Sequence, residues 1–510
     1  MSVPEPRTRL RKYLPQPEAL QLIPEAMARK YIAIPLEVND NVLQVAMADP
    51  ADIVALEALE TQSQMRIKTE LASAEEIQEA IDFNYQSYDE IERQISNISL
   101  PSVTTGEQLE PDTVTDAPVP QALSLVINEA VKARASDIHF QPEEDKLRIR
   151  YRIDGILHDM LSLPLMTAIP LISRIKILAN MNIADPHRPQ DGQFSVEPQG
   201  RRPIDIRVAT MPTVYGEMAT LRLLDRSRAI MHLSELGFLP ESLSEYEKML
   251  KTPYGMLLLS GPTGAGKTTT LYASVNCLDL TGRNVITIED PVEYRFKRIN
   301  QAQVNPRGGL TFASGLRSIL RLDPDVILVG EIRDAETAEI ATQSALTGHL
   351  VLSSIHANDA VGVVLRLLDL GIEPFLVSSA LIGVVAQRMV RRICPDCARL
   401  VDVPVIEEMT YSKETSGVNY PAIEERRQFL YGSGCKSCAH TGYQGRTGIF
   451  EILQMSDEIR AMLLNGTTAA QLRTRAIKEG MIPLIRDGML KVKAGITTPS
   501  EVLRNVYSVD

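Results

Sequence analysis

The sequence predicts an α/β fold in which a large domain built on a parallel sheet follows a small α/β domain and an α+β domain. From about Leu236 onward, short apolar segments alternate with helical ones, which is typical of parallel strands joined by crossover helices. Apolar and polar residues alternate over 31–48, on either side of NDN, and this pattern indicates a hairpin. They alternate again in KLRIRYRI, where Asp154 and Gly155 supply the next turn.

Length and composition indicate a folded protein with several domains. The chain has 510 residues, of which 44% are hydrophobic and 23% are charged. No apolar run approaches the roughly 18–20 residues of a membrane-spanning helix, and the first residues lack the apolar core of a signal peptide. We therefore expect a cytoplasmic protein that reaches a membrane only through partners. The net charge of −12 argues against a nucleic-acid partner.

Composition and periodicity divide the chain into four parts. Residues 1–87 form the predicted amino-terminal α/β domain, and residues 88–118 form an acidic linker rich in Ser, Thr and Pro. Residues 119–235 form the α+β domain, and residues 236–510 form the parallel-sheet domain. Within this last domain, residues 391–445 are predicted to be a cysteine-rich insertion.

Two arginines of the predicted α+β domain stand on strands that have one apolar face. In PIDIRVAT and EMATLRLLD, apolar residues alternate with polar ones, and Arg207 and Arg222 fall on the polar faces. A solvated surface position is the simplest interpretation of either side chain, so the alternation alone assigns no function to them.

The segment MLLLSGPTGAGKTTTLYASV contains the strongest motif in the chain. An apolar strand leads into the pattern G-x-x-x-x-G-K-[ST], and a helix follows, as in phosphate-binding P-loops. The glycines let backbone N–H groups surround phosphate oxygens, and the helix start adds the positive end of its dipole. We expect Lys267 to contact the β and γ phosphates of ATP and the Thr268 hydroxyl to bind Mg²⁺. The predicted nucleotide contacts in the loop are Gly261, Pro262, Thr263, Gly264, Ala265, Gly266, Lys267, Thr268 and Thr269.

Carboxylates follow two further strands of the predicted parallel sheet. NVITIEDPVEY ends in Glu289, Asp290 and Glu293, and DVILVGEIRD carries Glu331 after Gly330. The carboxyl ends of parallel strands meet at the ligand-binding edge of a sheet, so these acids should face the P-loop. Glu331 can hold Mg²⁺ through a water molecule, whereas Gly330 has no side chain that could act as a general base. The base is therefore expected in EDPVE, although an acid at a strand end is more often a helix cap or half of an ion pair.

Two CxxC pairs predict a structural zinc site. Cys394 and Cys397 in CPDC, with Cys435 and Cys438 in GCKSC, can supply the four thiolates that bind Zn²⁺ in tetrahedral geometry. A disulfide is disfavoured in the cytoplasm, and a redox CxxC needs only one pair. His440 is near enough in sequence to compete as a ligand, and a loop without metal is the remaining alternative.

Several of these segments together resemble a known family. ITIEDPVEY, RSILRLDPDVILVGEIRD, TGHLVLSSIHAND and GYQGRTGIFEIL are similar to the secretion-superfamily ATPases of type II secretion and type IV pilus assembly. ASDIHFQP, YRIDGILH and PQDGQF extend the resemblance into the second domain. It implies a RecA-like P-loop ATPase domain with a zinc-binding insertion, a PAS-like domain before it, and an amino-terminal adaptor domain.

The resemblance also implies roles for individual residues. It assigns the catalytic glutamate to Glu293, with Glu289 and Asp290 in support, and makes Gly330 an expected feature of the family. The histidines on either side of LVLSSI, each more often structural when met alone, match a motif thought to sense the nucleotide. Arginines of the PAS-like domain and arginines before the third strand would stabilise charge on the transferred phosphoryl group. The residues in these two groups are His349 and His356, and Arg207, Arg222, Arg317 and Arg321.

The implied function is that of a homo-hexameric ATPase that drives assembly of a pilus or pseudopilus. Its expected partners are an inner-membrane platform protein and a cytoplasmic adaptor, which would hold it at the inner membrane as a peripheral protein. The alternatives are a pilus retraction motor, a DNA-translocating P-loop motor and a non-hydrolysing nucleotide-gated scaffold. RTRLRKYLPQPEAL matches the RLGxxL repeats of cyclic di-GMP-binding relatives only weakly, so that ligand is not predicted. Pro186 and His187 depart from the family pattern and receive no interpretation.

Overall fold

The computed structural model describes residues 15–39, 42–74, 76–78, 80–81, 118–197, 203–224, 231–402, 407, 410–411, 428–438 and 441–507. The predicted linker over 88–118, apart from Pro118, lies outside the described residues, and so does His440. The chain divides into two compact units. The first comprises Met1–Ser227, Cys394–Ala398 and Gly432–Gln444, and the second comprises Arg228–Ile393, Arg399–Tyr431 and Gly445–Asp510.

The amino-terminal part of the first unit is a three-stranded sheet with short helices. The predicted hairpin over 31–48 is present as an antiparallel pair, and the third strand then pairs in parallel with the second. Apolar residues from the helices and the sheet share one core, which includes Ile34, Leu43 and Leu59. The elements are α1 (Pro17–Leu22), α2 (Glu25–Lys30), β1 (Ala33–Asn39), β2 (Val42–Met47), α3 (Ile53–Ser63) and β3 (Arg66–Leu71).

The next part of the first unit is a six-stranded antiparallel sheet that packs against two helices. Its strands have one buried and one exposed face because residues of each strand point alternately to the two sides. On the buried face, Ile149 and Tyr151 pack with Phe140 and with Leu171 of the second helix. The elements are α4 (Pro118–Lys132), β4 (Ala135–Pro142), β5 (Lys146–Ile153), β6 (Ile156–Pro164), α5 (Ala168–Leu178), β7 (Gln190–Val196), β8 (Ile204–Thr213) and β9 (Gly216–Leu224), in the sheet order β6-β5-β4-β9-β8-β7.

The second unit is built on a seven-stranded sheet, in agreement with the predicted parallel sheet. The strands are β10 (Gly255–Ser260), β11 (Val285–Glu289), β12 (Asn300–Gln303), β13 (Val326–Ile332), β14 (Leu350–Ile355), β15 (Leu381–Ile393) and β18 (Tyr443–Gln454). Their order is β12-β11-β13-β14-β10-β15-β18, and β10 pairs in parallel with both β14 and β15. Two more strands, β16 (Ala398–Asp402) and β17 (Gln428–Gly432), form a separate pair.

Both faces of this sheet are covered by apolar side chains. Met256 and Leu258 of β10 belong to one core cluster, and Leu257 and Leu259 belong to the cluster on the other face. The central strands are therefore apolar throughout instead of alternating, as expected of a parallel sheet between helical layers. The helices are α6 (Pro240–Leu250), α7 (Lys267–Asn276), α8 (Phe312–Ile319), α9 (Ala335–Leu346), α10 (Ala360–Asp369), α11 (Pro374–Ala380), α12 (Asp457–Leu464), α13 (Ala469–Lys478), α14 (Leu484–Lys493) and α15 (Pro499–Tyr507).

The length and hydrophobicity of the described helices can be compared with those of a membrane-spanning helix. Among the helices of the described residues, not one combines the length and the apolar character that crossing a bilayer requires.

The contact between α8 and β11 depends on a glycine, which gives a prediction about stability. A Cβ at Gly315 would lie 2.0 Å from Ile288 Cδ1 and 3.2 Å from Leu310 Cδ1. We expect Gly315→Ala to lower the free energy of unfolding by about 1–3 kcal/mol, because the added methyl group overpacks the core. The change is measured by calorimetric unfolding of the full-length chain.

A double variant tests this cause. The added methyl group occupies the space of the Ile288 side chain, so Gly315→Ala combined with Ile288→Ala should lose less stability than the sum of the two single variants. Strictly additive losses would show that the close approach of α8 to β11 is not what requires glycine at this position.

Candidate functional site

The register of the parallel strands brings the predicted motifs to one edge of the sheet. Ser260, the last residue of β10, pairs with Ile355 of β14, and Ile355 pairs with Ile332 of β13. Further along the sheet, Val329 of β13 pairs with Ile288 of β11. The P-loop after β10 therefore shares an edge with the residues that follow β14, β13 and β11.

Two glycines of the P-loop are required for different reasons. A Cβ at Gly261 would lie 2.5 Å from the carbonyl oxygen of Gln387 on β15, so this position allows no side chain. Gly264 has φ +78°, in the left-handed region that favours glycine, and a Cβ there would meet no atom within 4 Å. The loop is thus packed tightly against β15 at its start and open at its tip, where Thr263 and Gly264 are exposed.

The Lys267 side chain bends back over the loop. Its Nζ donates hydrogen bonds to the carbonyl oxygens of Gly261 at 2.6 Å and Pro262 at 3.2 Å. Burial lowers the pKa of Lys267, and the nearby carboxylate of Glu331 opposes that shift. An ammonium group held among carbonyls at the centre of a P-loop can exchange them for phosphate oxygens. Thr268, in the first turn of α7, is exposed at the same place.

Gln387, on β15, supports the P-loop, and its role is not apparent from the sequence. Its side chain is buried on β15, and its Nε2 donates to the carbonyl oxygen of Ala265. The same nitrogen would lie 3.1 Å from a Cβ at Gly266. The one signal in the sequence is an amide at the end of the apolar run LIGVVAQ, and this signal does not indicate which loop the amide contacts.

Glu331 lies between two basic side chains. Arg333 donates to its Oε1, and His356 Nε2 lies 3.5 Å from its Oε2. The hydrogen bond to Glu331 raises the pKa of Arg333. His356 and Glu331 are therefore together at the P-loop edge, and Arg333, which the sequence pattern did not indicate, lies with them. A Cβ at Gly330 would make ordinary contact with Glu289 Cα at 3.4 Å, so lack of space does not explain the glycine there.

The acidic segment after β11 is anchored at Glu289. Its carboxylate is 3% exposed and accepts hydrogen bonds from Tyr272, Thr287 and Gln301. Its two oxygens are thus occupied by neighbouring side chains, which favours a supporting role. Asp290 is exposed and Glu293 is half-buried, and the Glu293 N–H donates to the Tyr272 hydroxyl at 3.3 Å.

Three further predicted residues of this unit make contacts of their own. The carbonyl of His349 accepts a hydrogen bond from Gly255 N at the start of β10, so His349 lies at the opposite end of β14 from His356. The six-residue strand between them spans about 20 Å. Arg317 pairs with Glu336 at 2.7 Å, and the guanidinium of Arg321 bonds back to the Arg317 carbonyl at 3.0 Å. His356 is therefore the histidine at the P-loop edge, and His349 lies at the other end of the strand.

Arg207 and Arg222 lie in the first unit, directly opposite each other on β8 and β9. Arg222 Nε donates to Asp137 Oδ1 at 3.0 Å, and Arg152 Nε lies 3.7 Å from the other oxygen of this carboxylate. One buried acid thus stands among three arginines in a row across four strands. Like charges directly opposite on neighbouring strands are destabilising, and Asp137 offsets part of this cost through its bond to Arg222.

The four predicted cysteine ligands come together in the first unit. Their Sγ atoms all lie within 4.8 Å of one another, with Cys394–Cys435 at 3.7 Å, Cys397–Cys438 at 3.9 Å and Cys435–Cys438 at 3.7 Å. A tetrahedral zinc site with Zn–S bonds of about 2.3 Å has sulfur–sulfur edges of about 3.8 Å. The N–H groups of Cys435 and Gly442 donate to Cys438 Sγ at 3.1 and 3.3 Å. Burial raises the pKa of the Cys438 thiol to about 11, so a cation is needed to favour its thiolate at neutral pH.

Two family models match this chain. Residues 112–504 match the family model described as Type II/IV secretion system protein, and residues 5–90 match the MshEN domain. The type IV pilus assembly ATPase PilB of Myxococcus xanthus (strain DK1622) is 39% identical over 509 residues, which are 98% of this chain and 88% of that protein. The type II secretion system protein E of Dickeya dadantii (strain 3937) is 39% identical over 498 residues, which are 96% of this chain and 97% of that protein.

A solved structure supports the same fold. The ATPase DotB of Legionella pneumophila superposes with a TM-score of 0.56 at 20% identity, over 75% of this chain and 94% of that chain. The predicted α/β class, with a RecA-like P-loop ATPase domain after a separate amino-terminal domain, is confirmed. The relatives are named for pilus assembly and type II secretion and do not favour retraction, DNA translocation or a non-hydrolysing scaffold. From the family match over 112–504 and these relatives, the chain belongs to the Type II/IV secretion system protein family.

Proposed function

We propose that this chain hydrolyses ATP to drive the assembly of a pilus or pseudopilus at the inner membrane. The observation that carries this proposal is the shared edge of the sheet, where the P-loop, Glu331 and the segment of Glu293 follow neighbouring strands. The names of the relatives, a type IV pilus assembly ATPase and a type II secretion system protein, support the direction of the work.

In the proposed mechanism, the P-loop holds the phosphates of ATP and Glu293 activates the attacking water. Lys267 exchanges its carbonyl partners for the β and γ phosphates, which positions the γ phosphorus for attack. Glu293 accepts the proton as the water oxygen bonds to this phosphorus and the bond to ADP breaks. Mg²⁺ would neutralise charge on the phosphates, with Thr268 as its ligand and Glu331 beside it through water.

Basic side chains complete the proposed site. Four arginines would stabilise negative charge on the transferred phosphoryl group, because one guanidinium can donate two parallel hydrogen bonds to phosphate oxygens. They are Arg207, Arg222, Arg317 and Arg321. Of the two histidines, His356 contacts Glu331 and is the better placed to respond to the nucleotide.

The proposed assembly is a homo-hexamer bound to an inner-membrane platform protein and a cytoplasmic adaptor. Within each chain, residues 1–87 would form the adaptor domain, residues 88–118 the linker and residues 119–235 the PAS-like domain. Residues 236–510 form the ATPase domain, and the insertion at 391–445 carries structural Zn²⁺. Four thiolates fill the zinc coordination shell, so this site would stabilise the fold and take no part in the reaction.

Substitution of Glu293 tests the general base. We expect Glu293→Gln to lower kcat about 10²–10⁴-fold, because the amide cannot accept the proton from water, while ATP binding remains. Phosphate release is measured under single-turnover conditions with the full-length protein, and ATP binding by calorimetry. Glu373→Gln, at an exposed position before α11, is the matched control. A Glu293→Gln variant that releases phosphate at the wild-type rate would place the base elsewhere, and an inactive wild type would favour a nucleotide-gated scaffold.

The zinc assignment predicts a metal content. Protein purified without chelator should contain about one zinc ion per chain, and Cys438→Ser should lose it together with thermal stability. Cys277→Ser, at an exposed cysteine outside the cluster, should keep the metal. Elemental analysis that finds far less than one zinc in the wild type would reject the assignment.

The support from Gln387 predicts a change in nucleotide affinity. Gln387→Leu removes a buried hydrogen bond to the Ala265 carbonyl, so the loop is less well organised before ATP binds. We expect the Kd for ATP to rise about ten-fold, the equivalent of one hydrogen bond. Gln343→Leu, on the exposed side of α9, should leave the Kd unchanged when both are measured by titration calorimetry. Equal affinities of the wild type and the Gln387→Leu variant would show that the loop does not need this support.

A further inference from the structure

Tyr272 links the helix of the P-loop to the segment that carries Glu293. It stands on α7, the helix that begins at Lys267, and its hydroxyl donates to the carboxylate of Glu289 at the end of β11. The same hydroxyl accepts the N–H of Glu293 at 3.3 Å. One oxygen atom therefore contacts both the anchor of the acidic segment and the backbone of the proposed general base.

The ring of Tyr272 is held as firmly as its hydroxyl. It is 4% exposed and packs edge-on against Phe296, with ring centroids 4.8 Å apart, and against Tyr294 at 6.2 Å. The acidic segment thus folds around this ring after it leaves β11. A phenylalanine at position 272 would keep these contacts and lose the hydroxyl alone.

Amide side chains of the edge strand β12 hold the rest of the segment. Gln301 donates to the Tyr294 carbonyl at 2.9 Å and accepts the Phe296 N–H at 2.9 Å. Gln303 accepts the Val292 N–H at 3.2 Å. The residues on either side of Glu293 are therefore tied to β12, whereas the Glu293 N–H is tied to the helix of the P-loop.

The two hydrogen bonds of the Tyr272 hydroxyl do not depend on its titration near neutral pH. Burial and the charge of Glu289 raise the pKa of Tyr272, so the hydroxyl stays protonated and can donate and accept at once. A second buried tyrosine on the same side of the sheet offers a comparison. The Tyr246 hydroxyl bonds to Ser274 Oγ at 2.7 Å, also on α7, and the acidic segment is not among its hydrogen-bond partners.

We propose that Tyr272 is a positioning residue for ATP hydrolysis, which ties α7 to the Glu293 segment so that the carboxylate is held at the attacking water. This inference rests on the proposed function, in which Glu293 is the general base. Tyr272 acts through Glu293 and does not itself contact the phosphates. A shift of α7 when the P-loop fills would thereby be passed to the base.

The test is Tyr272→Phe in the full-length protein, with Tyr246→Phe as the matched control. Each variant removes one buried tyrosine hydroxyl: that of Tyr272, a residue of α7, bonds to Glu289, and that of Tyr246 bonds to Ser274 on α7. We expect Tyr272→Phe to lower kcat about ten-fold, because the carboxylate samples unproductive positions, and to leave the Kd for ATP within about two-fold. Tyr246→Phe should keep the wild-type kcat. In a Glu293→Gln background, Tyr272→Phe should cause no further loss, since its effect passes through that carboxylate.

A second measurement does not depend on turnover. Hydrogen exchange of the peptide that covers residues 290–296 should become about ten-fold faster in Tyr272→Phe, because the hydroxyl that protects the Glu293 amide is gone, and should not change in Tyr246→Phe. Unchanged exchange, a wild-type kcat, or an equal loss in the Glu293→Gln background would overturn the inference. Failure of the proposed function has a different signature, since the wild type would then release no phosphate while the exchange result would still decide whether the tie exists.

Discussion

Parallel pairing of β10, β14, β13 and β11 is the constraint on which the site depends. In a parallel sheet every strand ends at the same edge, so residues far apart in sequence become neighbours once the strands pair. The order of the strands sets the order of the chemistry along that edge, from the P-loop through His356 and Glu331 to Glu289. Burial of both sheet faces fixes the register of these strands, because a slip of one strand would disturb two cores at once.

Much of the fold and part of the site could be predicted because their signals are local. The P-loop is a contiguous motif between a strand and a helix, and each CxxC pair is contiguous as well. The roles of Gln387 and Tyr272 could not be predicted because their hydrogen-bond partners lie on other elements. No neighbouring residue in the sequence indicates which partners these are. His349 illustrates the converse. It is close in sequence to His356, but an extended strand between them carries the two side chains to opposite edges.

Charge is compensated unequally within each of the two units. In the second unit, the guanidinium of Arg333 compensates much of the negative charge of Glu331, and His356 lies beside the same carboxylate. In the first unit, Asp137 is shared between Arg222 and Arg152. One carboxylate thus offsets part of the charge of two guanidinium groups on neighbouring strands.

The path of the chain between the two compact units has a consequence for how the protein can be divided. Two segments of the first unit come from the part of the chain that connects strands of the second. Cys394–Ala398 follows β15, and Gly432–Gln444 leads into β18. A gene fragment that stops at Ser227 would therefore encode an incomplete body, deprived of every cysteine of the cluster. The first body is therefore discontinuous in sequence, and two of its segments are reached only through the sequence of the second.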